Sequence, residues 1–324
     1  MDRNREGLTR RDFLRRTASV VIGAALGLSA CRGRSASSEV PAAESSAGAA
    51  TRIAQAGAAQ AGQQTAEKTA RVILVRDENA VGSDSTLNFD VIGRMLDDAV
   101  CALTGTDSAA KAWKQLLKPD DLLGIKSNVW RPLRTPPQVE QILRQRAISA
   151  GVAPERIRIT DRRARAMLAD CTALINVRPL RSHHWAGIGG CIKNYIMFSD
   201  RPYQYHPNAC ESLALAWDLF DVKKKTRVNI LLALTPQFYG RGPHSYDPRW
   251  VWPYRGIFVS YDPVAVDAVG AHLLKTKRIA HFGEDRPITP TTHITAAETK
   301  YGLGVADLNR IELVKLGWED EALI

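Results

Sequence analysis

Between Leu180 and His206 the chain crowds together side chains that do chemistry: Arg181, Ser182, His183 and His184, the glycines Gly187, Gly189 and Gly190, then Cys191, Lys193 and Asn194, and finally Tyr203 to His206. Three of the seven histidines fall in this stretch. An imidazole can move a proton or ligate a metal near neutral pH, so His183 and His206 are candidate acid/base groups or metal ligands, with Lys193 as a catalytic cation. Lys193 and Asn194 are matched by a second Lys/Asn pair, Lys126 and Asn128. Two such pairs on separate loops make a cationic, donor-rich lining for phosphate, carboxylate or an enolate. Gly187, Gly189 and Gly190 let backbone N–H groups approach an anion closely, and a helix opening near Lys193 adds a favourable dipole. The spacing is not a Walker loop.

A carboxylate for the same site comes from Asp262-Pro263-Val264-Ala265-Val266-Asp267. Asp262 as N-cap with Pro263 at the first helical position predicts a helix running to Leu274, and capping accounts for Asp262. Asp267 lies on another face of that helix. With His183 and His206 it makes a two-histidine, one-carboxylate set suited to a divalent iron, manganese or zinc ion. No local signature such as HExxH gathers these three, so histidines that merely cap loops or meet buried partners remain an open alternative. Cys191 has no adjacent base to activate it as a nucleophile. Tyr246, Trp250, Trp252 and Tyr254, with Pro248 and Pro253, read as a long loop, and packing of that loop is favoured over sugar stacking or a lid.

The elements that must position these groups alternate in type. Strand-like runs occur at Arg71–Arg76, Asp121–Asn128, Arg156–Thr160, Thr172–Val177, Val228–Leu234 and Gly256–Ser260. Helical spacing appears over Phe89–Leu103, and again between Pro137 and Gly151. Short, continuous apolar strands alternating with helices predict an α/β layered fold, with a mixed or largely parallel sheet flanked by helices. In such sheets ligands gather beyond the carboxyl ends of strands, where the Leu180–His206 cluster falls.

Four ordered pieces resemble a known family. Ala173 to His183 followed by Gly187 to Asn194 is similar to the hallmark of the domain of unknown function 362 family, whose members show a strand, a Lys-x-His and a Thr-Gly-x-x-Lys-Asn element. Gly124 to Asn128 resembles its early Lys-x-Asn, and Ser260 to Val269 its Asp-Pro-Val-Ala-x-Asp segment. Tyr301 to Gly304 is a weaker fourth piece, and the resemblance spans about residues 121–316. The chain departs from the family at Arg181, often Lys there, and at Leu232–Pro236 before Gly240, where an acidic residue is often found. It also has no ferredoxin-type iron–sulfur motif, which some members append. The resemblance brings no reaction with it.

The head of the chain gives an address. Arg10-Arg11-Asp12-Phe13-Leu14 resembles a twin-arginine export signal, and Leu28-Ser29-Ala30-Cys31 a lipobox that makes Cys31 the lipidation site. Only the 14 residues Thr17–Ala30 are free of charge, short of the roughly 20 needed for a span. Residues 1–30 are therefore expected to be a signal peptide. Residues 31–70 are expected to be a lipidated, Ala/Ser/Gly/Gln-rich tether with a root-mean-square span of about 35 Å, and residues 71–324 a single α/β domain. With 45% apolar and 24% charged residues the chain reads as globular. Of its net charge of +10, residues 1–30 carry six arginines against three acids, which leaves +7 beyond them. The expected partners are the twin-arginine export machinery, the membrane through Cys31 and a small anionic ligand, with no nucleic acid. Without a CxxC spacing, Cys101, Cys171, Cys191 and Cys210 read as free thiols. The resulting expectation is an exported, lipid-anchored protein on the periplasmic or extracytoplasmic side of the envelope, an enzyme acting on a small anion; the alternative is a non-catalytic ligand-binding or sensing lipoprotein.

Overall fold

The computed structural model describes residues 69–324. The expected signal peptide, Cys31 and all but the last two residues of the expected tether lie outside the described residues. Eight strands form one mixed sheet: β1 (Ala70–Arg76), β2 (Leu123–Lys126), β3 (Ile157–Thr160), β4 (Ala173–His183), β5 (Gly187–Gly189), β6 (Thr226–Gln237), β7 (Gly256–Ser260) and β8 (Ile311–Gly317). Their order is β3-β2-β4-β6-β7-β1-β8, with β5 folded back on β4. β3, β2, β4 and β6 run parallel, β7 is antiparallel to both its neighbours, and β1 pairs in parallel with β8. The expected α/β layered fold is thus present, as a mixed sheet.

Alternation along the strands sends apolar side chains to both faces, since successive residues point to opposite sides of a sheet. On one face Ile125, Ile175, Val177, Ile230 and Ile257 pack under helices α1 (Phe89–Thr104), α2 (Ala109–Leu116) and α3 (Pro137–Ser149). On the other, Leu174, Leu180, Leu231 and Phe258 pack under α4 (Ala164–Asp170), the short α5 (Cys191–Asn194), α6 (Pro263–Phe282) and α7 (Thr292–Thr299). Asp262 caps α6, accepting from the N–H groups of Val264 and Ala265, and holds the chain after α7 by accepting from Val305 N–H. No helix among the described residues is long and apolar enough to cross a membrane.

Three elements differ most from the sequence reading. α6 continues past Leu274 to Phe282, because nothing breaks the helix before Gly283, whose φ of 80° ends it. β4 runs on to His183, so the start of the reactive cluster lies within the strand. β8, unforeseen, is a half-exposed edge strand with no buried residue to mark it. The loop after β6 packs as expected: Trp250 and Trp252 meet the Phe238 ring edge-on at 5.9 and 5.5 Å.

Candidate functional site

One rung of the sheet is polar. Lys126, Asn176, Asn229 and Ser260 stand in register across β2, β4, β6 and β7 and so share the α6 face. Lys126 Nζ donates to Asp161 Oδ1 (2.6 Å), Ser127 O (2.7 Å) and Asn194 Oδ1 (3.0 Å), which uses all three of its protons. Neither Lys126 nor Asp161 exposes any side-chain surface. Burial pushes the Lys126 ammonium down to about 8 against the pull of Asp161. Asn194 Nδ2 donates to Asn176 Oδ1 (2.8 Å) and Lys126 O (3.1 Å), and Asn176 Nδ2 donates to Asn229 Oδ1 (3.0 Å), which also accepts from the Tyr195 hydroxyl. The chain of polar groups from Asp161 to Tyr195 is closed on itself. Asn128 Oδ1 accepts from Arg181 Nη2 at 3.1 Å. Lys126, Asn128 and Asn194, expected to line an anion site, hold strands and loops together, and Lys126 and Asn194 have no donor left over for a ligand.

The glycine cluster also receives an anion, but an internal one. Asp267, reaching from α6, accepts from Cys191 N–H (2.6 Å) and Ile192 N–H (2.9 Å), the first amides of α5. A Cβ on Gly190 would lie 2.2 Å from Asp267 Oδ1, so only glycine admits the carboxylate. Gly189 serves packing in the same way, with the Arg178 and Arg181 side chains 3.2 Å from where its Cβ would be. Burial raises Asp267 to about 7, countered by the two amides and the charge of Arg178. The Gly-Gly-Cys-Ile and Asp-Pro-Val-Ala-x-Asp segments are therefore two halves of one lock.

Beside this lock stand two buried cations that make no ion pair among the described residues. Arg178, on β4, and Lys193, on α5, are 4% and 5% exposed. Lys193 Nζ and Arg178 Nε have no hydrogen-bond partner. Among the described residues Arg178 makes no ion pair, although Asp161 and Asp267 lie within electrostatic reach of it. Burial lowers Arg178 to about 10 and Lys193 to about 8, and Arg178 adds to the shift at Lys193. Three histidines feel the same field. His183 is held far below its ordinary value by burial, then by Lys193 and Arg178. His206 falls to about 4 by burial and the Lys193 charge. His293, on α7 and fully buried, falls to about 3 for the same reasons, and neither of its ring nitrogens has a partner. All three are neutral at pH 7.

Aromatic rings cover the cluster. The His183 and His184 rings stack at 5.0 Å, Trp185 lies 4.4 Å from His184 and 4.2 Å from His206, and Lys193 Nζ lies 5.9 Å from the Trp185 ring. Trp185 N–H donates to His183 Nδ1 at 3.2 Å, which assigns the remaining proton of the neutral ring to Nε2 and makes that atom a donor. A cavity of about 390 Å³ opens beside the β4–β5 hairpin, lined by Ser182, Gly187, Ile188 and Ile294, and it does not include Lys193 or Arg178.

The cluster sets two buried cations among neutral histidines. The grouping of His183, His206 and Asp267 around a metal finds no support in the geometry: Asp267 spends both oxygens on backbone amides, and two buried cations stand beside the histidines. Among the described residues no three His, Cys, Asp or Glu side chains gather to hold a metal ion. Among the described residues Cys101, Cys171, Cys191 and Cys210 are free thiols, and burial raises the Cys191 thiol well above its ordinary range, which leaves it inert at neutral pH. Arg178 and His293 escaped the sequence reading. Arg178 had one signal, a charge inside an apolar strand run; His293 had none.

Residues 149–272 match the family model described as Domain of unknown function (DUF362). No curated protein and no solved structure matches the chain.

Proposed function

We propose that this chain, which carries a DUF362 domain over residues 149–272, binds a small anion between Arg178 and Lys193 and acts on it as an enzyme. The observation that carries the reading is the pair of buried, unpartnered cations. A buried charge without a partner costs several kcal/mol, so a site that keeps two of them is made for a ligand that brings the opposite charge. Arg178 offers a planar fork for a carboxylate or phosphate, and Lys193 a point charge. His183 offers an Nε2–H hydrogen bond to the bound anion, and His206 is the neutral imidazole that takes up or returns a proton, with His293 fully buried in the same field. Trp185 roofs the site.

The sequence of residues 1–31 supports the rest of the reading, in which the folded part is exported and held at the extracytoplasmic membrane face through Cys31. One observation favours the alternative of a non-catalytic binding lipoprotein: Cys191 and Asp267, the groups best suited to covalent or acid/base work, are both buried and committed elsewhere. Calorimetric titration of the full chain with inorganic phosphate tests the anion site. Losing one charge-assisted contact of about 1.5–3 kcal/mol weakens binding roughly 10- to 150-fold, so Arg178→Gln and Lys193→Gln should each do so. Variants that bind phosphate as the parent does refute the site. His206→Gln then separates the readings, because a binding protein keeps its phosphate affinity and an enzyme loses turnover.

A further inference from the structure

A second cationic feature lies apart from the buried cluster, where β2 and β3 end. Arg131, Arg134, Arg162 and Arg163 line a cleft of about 800 Å³ with Asp161 and Glu140. The two walls are the loops that follow parallel strands β2 and β3, and the carboxyl ends of such strands are where ligands gather in open α/β sheets. Both acids in the cleft are occupied. Asp161 accepts from Lys126 Nζ through Oδ1 and from Val129 N–H through Oδ2, and Glu140 accepts from the Ser127 hydroxyl. The charge of Asp161 is already matched by Lys126, and its two bonds tie the wall after β3 to the wall after β2. None of the four arginine side chains has a hydrogen-bond or ion-pair partner among the described residues; Arg163 uses only its backbone N–H, toward Thr160.

We propose that this cleft is a second binding site, for a polyanion that carries two or more phosphate groups in series. Guanidinium forks match phosphate oxygens two at a time, and four of them exceed what a single phosphate engages. The volume falls in the range of pockets that enclose a drug-sized ligand and is far larger than one inorganic phosphate. The polar lock formed by Asp161, Lys126 and Asn194 stands between this cleft and Lys193, so the two sites share a wall and no donor.

Inorganic tripolyphosphate is the probe, titrated calorimetrically into the full chain at physiological salt beside inorganic phosphate. The Arg162→Gln, Arg163→Gln double variant alters exposed side chains and keeps the fold. It should bind tripolyphosphate at least tenfold more weakly than the parent and bind phosphate as the parent does. Arg178→Gln should leave the tripolyphosphate affinity within twofold, so that failure of the buried site and failure of the cleft are separate results. Tripolyphosphate that binds no more tightly than phosphate, or that binds the double variant as well as the parent, overturns the proposal.

Discussion

Replacing Gly190 by alanine adds one methyl group and should cost more stability than most core truncations. The new Cβ would sit 2.2 Å from Oδ1, 2.4 Å from Cγ and 2.6 Å from Oδ2 of Asp267, more than an ångström inside normal contact. Asp267 cannot swing away, because it is fully buried on the 20-residue helix α6. It must release the amides of Cys191 and Ile192. Each such charged hydrogen bond is worth about 1.5–3 kcal/mol, so the pair contributes about 3–6 kcal/mol. Gly190 has an ordinary φ of −114°, so alanine brings no backbone strain, and its lower unfolded-state entropy returns only about 0.4–1 kcal/mol. A net loss of roughly 2–5.5 kcal/mol is expected, a large fraction of the ~5–15 kcal/mol that holds a domain together. Urea unfolding followed by circular dichroism measures it. Asp267→Asn, which keeps the shape but opposes an amide donor to an N–H, should be destabilising too, and the double variant should lose much less than the two single losses together. A Gly190→Ala loss below about 1 kcal/mol, or simple additivity, would show that the carboxylate does not sit between those amides.

Three further outcomes are expected. Asp161→Asn strands the Lys126 ammonium in the interior and should cost about 3–5 kcal/mol in urea unfolding, whereas a loss under 1 kcal/mol would mean that water reaches the pair. Affinity for sulfate, which keeps its charge across this range, should fall, approaching tenfold per unit, as pH rises through about 8 and Lys193 gives up its proton; a rise in affinity above pH 8, read by calorimetry, would exclude that lysine. His206 and His293 titrate at about 4 and 3 in the fold and near 6.5 unfolded. The unfolded chain therefore binds more protons in that window, and stability present above pH 6.5 is lost as pH falls toward 3. His293→Gln should flatten the decline, and an unchanged acid limb would show that the imidazole is not buried neutral.

The layered α/β fold is legible in the sequence because apolar runs of strand length alternate with helical periods, and because Asp262-Pro263 marks the start of a long helix. The partners of Lys126, Asn128 and Asn194 are not. Those residue types suit a ligand and an internal lock equally well, and the choice is made by strand order. Only when β2, β4 and β6 lie side by side does Lys126 stand level with Asn176 and Asn229. The glycine cluster hid its role for a related reason. A carboxylate 77 positions after Gly190 fills the space that a ligand was expected to take. Lys193, His183 and His206 were legible as reactive types, and the structure brings them within reach of one another. Arg178 was readable only as an expensive charge in an apolar strand, and His293, set among threonines and alanines, gave no pattern at all.

Crystals of the protein soaked in iodide and measured for anomalous scattering test the central claim most directly. The account predicts an ordered anion about 3–4 Å from both the Arg178 guanidinium and Lys193 Nζ, beneath the Trp185 ring. A map with no anion there, or with a protein carboxylate already bonded to both cations, would contradict it.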